Sequence, residues 1–363
     1  TSGSELVAVG QGALGANTEG AQNTAVGRKA LEVNTTGSGN TAVGQRALDA
    51  NTTASNNTAV GLAALGTNTT GTQSVGIGRL SLFSNTTGNN NTSLGDLSLY
   101  SNTTASDNTA IGRQTLYLNT TGTSNAALGV SALENNSTGS NNTAVGKTAL
   151  LANTTGAEHV AVGQGALQAN TTGNYNTAVG RVALLTNSTG SNNVALGRQA
   201  LYSNTTASNN TALGYLALLS NTTGASNTAV GNSALRTCTT GSFNTAIGQN
   251  SGYSLTISTN NTFLGRDSGY NCTTGANNVT LGKDAGTDAV LNITTESNRL
   301  VLGNNSITNA YCKTTIAATS DQRDKTDIVN IGSDKGLSFV NQLRPVSFYY
   351  NQSRDNPDVK TGT

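Results

Sequence analysis

The stretch NTAVGRKALEVNTTGSG, residues 23–39, is one copy of a 17-residue unit that recurs along most of this chain. The glycine that closes its apolar core returns once in every copy, without a slip, from Gly10 and Gly27 to Gly282. A unit held in phase over so many copies indicates one supersecondary structure stacked on copies of itself. The sequence therefore predicts a rod and not a set of globular domains.

Each copy contains a short alternating core, as in Thr24-Ala25-Val26, which predicts a β-strand that ends at Gly27. The following Ala30-Leu31 segment suits either a second strand or one helical turn. Turns are expected at the glycine and at the N-T-T-G stretch. The predicted fold class is all-β: a repetitive β-solenoid or β-roll shaft of 17-residue coils.

Equivalent residues of stacked copies form ladders. Two apolar seams are expected, one through Val26 and its equivalents and one through Leu31 and its equivalents. Two asparagine ladders, through Asn34 and through Asn40, are expected to stack side-chain amides or to occupy left-handed turns. Because a 17-residue coil is thin, we expect identical chains to complete the burial of the apolar seams, which favours a homotrimer.

Composition excludes several classes of partner. The 363 residues carry a formal net charge of +1 without a run of Lys or Arg, which argues against nucleic acid. No stretch of 18 consecutive apolar residues is present, so no membrane insertion is expected. Three cysteines without CxxC spacing and a single histidine, His159, predict neither a metal site nor a cofactor. His159 stands where other copies carry asparagine and is interpreted as a hydrogen-bonding substitute.

The pattern predicts three regions. Residues 1–286 are the repeat shaft, residues 287–319 an irregular transition, and residues 320–363 an incomplete terminal segment. The Leu302-Gly303 pair follows Gly282 later than the repeat requires, which predicts a four-residue insertion around residues 290–294 that reshapes the shaft. Charged side chains make up 10% of the whole chain and are far denser in 320–363 than before it, so the terminal segment differs in kind.

Two resemblances follow from these residues. The N-T-A-V-G runs, for example residues 142–146, resemble the repeats of trimeric autotransporter adhesin heads and the shafts of bacteriophage tail fibres. SDQRDKTDI at 320–328, followed by LRPVSFYY at 343–350, resembles the start of the endosialidase-type intramolecular chaperone. That second resemblance implies trimer assembly followed by self-cleavage between Thr319 and Ser320, with Ser320 and Lys325 as the catalytic residues.

The implied mechanism requires a particular protonation state of Lys325. To accept the proton of the Ser320 hydroxyl, its amine must be neutral, which requires burial or a neighbouring cation, whereas the adjacent Asp324 favours the charged amine. A spacing of five residues lies about 140° apart on a helix, so the pair meets across a turn or between subunits. The alternative is that Ser320 caps a local turn within a solvated charged stretch.

Further candidate sites lie in the shaft. A threonine ladder through Thr36 and its equivalents is weighed as an ice-binding face, and tyrosines including Tyr100, Tyr117, Tyr202 and Tyr215 as a carbohydrate strip or as packing between chains. Asn-Thr-Thr glycosylation sequons occur at Asn34, Asn51, Asn68, Asn85, Asn102, Asn119, Asn153, Asn170, Asn204 and Asn221.

The predicted function is a structural fibre protein of a phage tail fibre or surface adhesin. It would be found on a virion or outside the cell, and would bind a host glycan or protein receptor. The shaft itself is not expected to be enzymatic. The alternative is a glycosylated extracellular filament without proteolytic activity.

Overall fold

The structure is a computed structural model that describes residues 3–289 and 291–309. Apart from Asn309, these residues lie in one compact unit, Thr1–Thr308. Within them the chain forms eighteen β-strands of three residues each, one per coil, and no helix. The strands are β1 (Val7–Val9), β2 (Thr24–Val26), β3 (Thr41–Val43), β4 (Thr58–Val60), β5 (Val75–Ile77), β6 (Thr92–Leu94), β7 (Thr109–Ile111), β8 (Ala126–Leu128), β9 (Thr143–Val145), β10 (Val160–Val162), β11 (Thr177–Val179), β12 (Val194–Leu196), β13 (Thr211–Leu213), β14 (Thr228–Val230), β15 (Thr245–Ile247), β16 (Thr262–Leu264), β17 (Val279–Leu281) and β18 (Leu300–Leu302).

Each strand pairs in parallel with the next strand along the chain, and the strands together form one sheet. The pairing is shifted by one copy of the repeat, so that Thr24 lies beside Thr41 and Ala25 beside Ala42. This confirms the predicted all-β solenoid of 17-residue coils. We number the coil positions 1 to 17 from the asparagine that opens each copy, so that Asn23 is position 1 and Gly39 is position 17.

The Ala-Leu segment forms a turn, and neither a second strand nor a helical turn. Its Leu31, at position 9, has a left-handed backbone with φ of 50°, as does Lys29 at position 7 with φ of 62°. A left-handed conformation costs about 1–2 kcal/mol per non-glycine residue. Full burial of a leucine side chain contributes about 1.5–3 kcal/mol, and Leu31 is completely buried. Burial of the leucine thus offsets much of the strain of these two residues in each coil that carries it.

The glycine at position 5 is required by the close stacking of coils. Gly112 has φ of 133°, a region open almost only to glycine, and a Cβ there would lie 2.7 Å from the carbonyl oxygen of Gly129 on the next rung. Gly129 meets Gly146 in the same way. Glycine therefore recurs at position 5 of every copy because the backbone there lies against the position-5 glycine of the next coil.

A single chain buries its own core. The alanines at positions 3 and 8 and the leucine at position 9 are almost all inaccessible to solvent, as Ala25, Ala30 and Leu31 illustrate. The expectation that neighbouring chains are needed to cover the leucine seam is wrong, because the turn folds each leucine inside its own coil. Only the seam through Val26, at position 4, faces outward.

Both predicted asparagine ladders are present inside the coil. At position 12, the side-chain Nδ2 of each asparagine donates to the Oδ1 of the asparagine one rung before it, as from Asn136 to Asn119 at 2.9 Å. The same Nδ2 also donates to a backbone carbonyl three residues later, as from Asn136 to Gly139. This ladder runs unbroken from Asn17 to Asn221.

The second ladder, at position 1, connects side chain to backbone. The backbone N–H of Asn40 donates to Oδ1 of Asn23 at 2.9 Å, and Asn23 Nδ2 donates to the carbonyl of Gly37. These asparagines are fully buried, and their hydrogen bonds hold the strand entry of each coil in register.

The last coils change the filling of the core. At position 9 the leucine is replaced by Gly252 and by Gly269, and at position 3 of the intervening strand the alanine is replaced by Phe263, which is fully buried. A Cβ at Gly252 would lie 2.6 Å from the Phe263 ring. One aromatic side chain thus occupies the space that two leucines fill elsewhere.

The insertion falls between positions 11 and 12 of its coil. Thr287 and Asn292 form an isolated antiparallel bridge, and Ile293 takes the buried position 12 above Cys272. Coil contacts then resume at a spacing of 21, with Thr273 bonded to Thr294 and β17 paired with β18. The extra residues are therefore 289–292 and leave the coil path intact; the proposed transition region at 287–319 stays a prediction.

Candidate functional site

The residues proposed for self-cleavage lie outside the described part of the chain. Thr319, Ser320 and Lys325 follow Asn309, the last described residue. Their mutual geometry, and the effect of Asp324 on the pKa of Lys325, therefore remain predictions. The site that the structure does describe is the surface of the shaft.

One surface is uncharged and largely apolar along the whole sheet. Because side chains alternate along a strand, the residues at positions 2 and 4 point outward while position 3 points into the core. Many of the outward residues are well exposed, as Leu128 at 46% and Val194 at 41% illustrate. We call the residues at positions 2 and 4 of β1 to β18 the strand-face strip.

A mostly polar edge borders this strip at position 6, just after the glycine, and is interrupted by exposed Leu62, Val130 and Tyr215. Eight cations and one carboxylate occur there among the coils: Arg28, Arg79, Arg113, Lys147, Arg181, Arg198, Arg266, Lys283 and Asp96. Sequence reasoning missed this edge because its cations are separated by at least one full copy of the repeat and form no run. Reading position 6 down the aligned copies would have found it.

The aromatic residues at position 10 stack on one another. Ring centroids are 5.6 Å apart for Phe83 and Tyr100, 5.3 Å for Tyr100 and Tyr117, and 4.9 Å for Tyr253 and Tyr270. Sugar binding commonly uses the face of an aromatic ring, and these faces are largely covered by the ring on the next rung. The stacks therefore support packing along the shaft better than a carbohydrate strip.

The Asn-Thr-Thr sequons are inaccessible in the folded shaft. All ten sequon asparagines lie at position 12 and are fully buried, and their Nδ2 groups donate to the neighbouring asparagine and to a backbone carbonyl. A glycan on Nδ2 would remove a donor and could not fit within the coil. The buried ladder thus argues against glycans at the Asn-Thr-Thr sites. Other Asn-x-Thr sequons, such as those at Asn56 and Asn141, begin with an exposed asparagine.

The threonine ladder at position 14 is exposed but single. The neighbouring threonines at position 13 donate their hydroxyls to backbone carbonyls of the next rung, as from Thr35 to Thr52 at 3.0 Å. Those hydroxyls are engaged within the protein, so a double threonine face of the kind ordered water would match is not formed.

His159 replaces asparagine at position 1 and reproduces its hydrogen bonds. Its Nδ1 accepts the backbone N–H of Asn176 at 3.2 Å, which places the ring proton on Nε2, 2.7 Å from the carbonyl of Gly173. Burial lowers the pKa of His159 to about 4, partly opposed by the hydrogen bond to the Gly173 carbonyl. The interpretation of His159 as a substitute for asparagine agrees with this geometry.

We expect the shaft to lose stability in mild acid through His159. Its folded pKa, about 4, lies below the usual value near 6.5, so the unfolded chain binds the proton first as the pH falls. The contribution is complete above about pH 6.5 and is lost as the pH falls to about 4, by on the order of 3 kcal/mol. His159→Asn should remove this part of the pH dependence of urea unfolding between pH 7 and 4. An equal slope in both proteins would contradict the assignment.

The described cysteines have the properties of core residues. Burial raises the pKa of Cys238 to about 12 and that of Cys272 to about 11, and both thiols are free. Leu255 stands between them at position 12. In the described part of the chain, no cluster of His, Cys, Asp or Glu could hold a metal ion. Residues 3–289 and 291–309 likewise contain no helix able to span a membrane.

The fold and its surface define a parallel β-solenoid shaft. Comparison with family models adds that residues 320–363 match the family described as the chaperone of endosialidase. This match supports the resemblance noted at SDQRDKTDI and covers only the terminal segment. No curated protein matches the chain.

Proposed function

We propose that this protein is a structural fibre of a phage tail fibre or a related surface adhesin, assembled as a homotrimer with the help of its C-terminal segment. The observation that carries the proposal is a long, self-contained solenoid followed by a segment that matches the chaperone of endosialidase. The rod supplies length, and the terminal segment supplies assembly. The proposed location is a virion or an outer surface, and the proposed receptor is a host glycan or surface protein.

In this proposal the chaperone segment releases itself after assembly. The hydroxyl of Ser320 attacks the carbonyl carbon of Thr319, the Thr319–Ser320 amide bond breaks, and an ester to the serine oxygen forms while the freed amine gains a proton. Water then hydrolyses the ester to leave the Thr319 carboxylate and the Ser320 hydroxyl. Lys325, neutral when desolvated, accepts the hydroxyl proton in the first step.

Trimer formation would provide that desolvation. An isolated lysine has a pKa near 10.4, so its neutral form is scarce at neutral pH, and Asp324 next to Lys325 makes it scarcer. Burial of the amine between subunits would lower its pKa and link cleavage to correct assembly. The reaction is a single turnover for each chain.

We expect Ser320→Ala to abolish cleavage after Thr319 while leaving the oligomer intact. Lys325→Arg should abolish it as well, since a guanidinium stays protonated. Ser333→Ala, in the same segment, is the matched control and should be cleaved normally. Intact mass and the C-terminal residue, measured together with the oligomer mass, report all three variants. Cleavage of the Ser320→Ala chain at the same bond would refute the mechanism.

The attachment role has its own test. Purified fibre should bind bacterial surface polysaccharides or envelope proteins on an array, and binding should depend on the oligomer. A glycosylated filament remains the alternative function, and the buried Asn-Thr-Thr asparagines count against modification at those sites. An intact mass equal to that of the bare polypeptide from a glycosylating host would exclude that alternative.

A further inference from the structure

We propose that the strand-face strip is the surface along which copies of this chain associate side by side. The inference rests on the proposed function, which supplies the homotrimer, and it names the surface that the copies share. The strip is distinct from the terminal segment and extends over β1 to β18.

The strip never carries a charged or amide side chain. Position 2 holds only threonine, valine, alanine or leucine, and position 4 only valine, isoleucine or leucine, in all eighteen strands. Position 6, two residues away, carries a charged side chain in nine coils. An outward strand face in contact only with water would normally accept Lys, Glu, Gln or Asn at some rungs. Eighteen rungs without such a residue indicate a face that is covered.

The size of the strip suits a stable interface. Eighteen strands at about 4.8 Å give a length of about 80 Å, and two outward residues with their side chains give a width of about 10 Å. The resulting surface is on the order of 800 Å², which is what each partner contributes to a standard protein interface. A typical monomer exposes its largest apolar patch at about 300–600 Å².

A further copy of this chain is the occupant that fits best. Its own strip repeats at the same rung spacing, so branched side chains of the two faces can interdigitate over the whole length of the sheet. A partner of another fold would match this spacing at only a few rungs. The cationic edge at position 6 provides the polar rim that surrounds the apolar centre of such interfaces. The match to the chaperone of endosialidase independently supports association of the chains.

Cysteine cross-linking in the full chain tests the surface directly. Thr177 lies in the strip, whereas Thr172 lies at the exposed turn of the preceding coil, and both can be changed to cysteine in a Cys312→Ser background. With a short bismaleimide, Thr177→Cys should give covalent dimers, because each chain supplies one accessible thiol. Thr172→Cys should give several-fold fewer. The buried Cys238 and Cys272 supply the background level.

Charge placed in the strip gives a second measurement. Val162→Asp, combined with Thr177→Cys, should lower the cross-linking yield several-fold by bringing carboxylates of neighbouring copies together. Thr155→Asp with Thr177→Cys is the matched control and should keep the yield. Circular dichroism confirms that each variant retains its β-structure.

The outcomes separate this inference from the proposed function. A single-chain mass for the unaltered protein would overturn the homotrimer and the shared surface together. A trimer mass combined with equal or stronger cross-linking at Thr172→Cys would overturn the strip and leave the proposed trimer standing. Cross-linking at Thr177→Cys that is weakened by Val162→Asp supports both.

Discussion

Asn136→Leu is expected to divide the unfolding of the shaft into two transitions. The change removes the donor to Asn119 Oδ1 and to the Gly139 carbonyl, and it removes the acceptor for Asn153 Nδ2. The Gly139 carbonyl still accepts from Asn125 and Asn153 Nδ2 still donates to Gly156, so Asn119 Oδ1 is the one buried group left unpaired, at a cost of about 1–3 kcal/mol. Because each coil contacts only its neighbours, such a loss at one rung uncouples the coils on either side.

The matched control is Asn135→Leu, the same substitution one residue earlier. Asn135 is partly exposed at position 11, where another coil carries Leu118. Its replacement should leave the urea midpoint nearly unchanged, whereas Asn136→Leu should lower it and add a second step in circular dichroism. Leucine itself fits position 12, because Leu255 occupies it. Identical unfolding curves for the two variants would show that the amide ladder contributes little.

Phe263→Ala is expected to cost about 3–5 kcal/mol, as for other large buried aromatic residues cut to alanine. The cavity would be large because Gly269 of the same coil and Gly252 of the preceding coil stand where most coils carry leucine, so neither has a side chain to fill it. Restoring both leucines together with the alanine recreates the ordinary core. Gly252 has φ of 60°, close to the 49° of Leu235, so leucine suits this backbone.

Rescue is therefore the decisive measurement. The triple variant Phe263→Ala, Gly252→Leu, Gly269→Leu should recover most of the stability that Phe263→Ala loses in thermal unfolding. Phe243→Ala, at an exposed aromatic residue, should be nearly neutral. A triple variant less stable than Phe263→Ala alone would contradict the view that one ring replaces two leucines.

The 17-residue phase was sufficient to predict the coil, the strand and the two asparagine ladders, because ladders follow directly from stacking. The turn at Ala30-Leu31 was not predictable from propensity, since leucine favours helices and rarely adopts a positive φ. Its conformation is imposed by burial within the coil. The exchange of volume around Phe263 was also missed, because the three substitutions are spread over two copies and make sense only when the coils are stacked.

The chemistry at Ser320 and Lys325 came from a motif, and the described fold places neither residue. The repeat period predicts the structure of the repeating coils only. It gives no prediction for the terminal segment, which does not repeat. The strand-face strip lies within the repeat, but its exposure could not be predicted. Its composition was visible in the sequence, but whether Val26 or Leu31 faced outward depended on the left-handed turn.

The asparagine ladder at position 12 ends in a buried acceptor that no other asparagine of the ladder can supply with a donor. Asn221 Oδ1 is buried without a hydrogen-bond partner, because the next residue at position 12 is Cys238, which offers no amide donor. Cys238→Asn would supply that donor and leave its own Oδ1 facing Leu255 in the same condition. Since every rung receives from the rung after it, the ladder has a polarity, and its open acceptor can be moved along the rod but not removed. In the described shaft, the unpaired Oδ1 of Asn221 therefore distinguishes the C-terminal end of the asparagine ladder from its N-terminal end, although the coils between them are nearly identical.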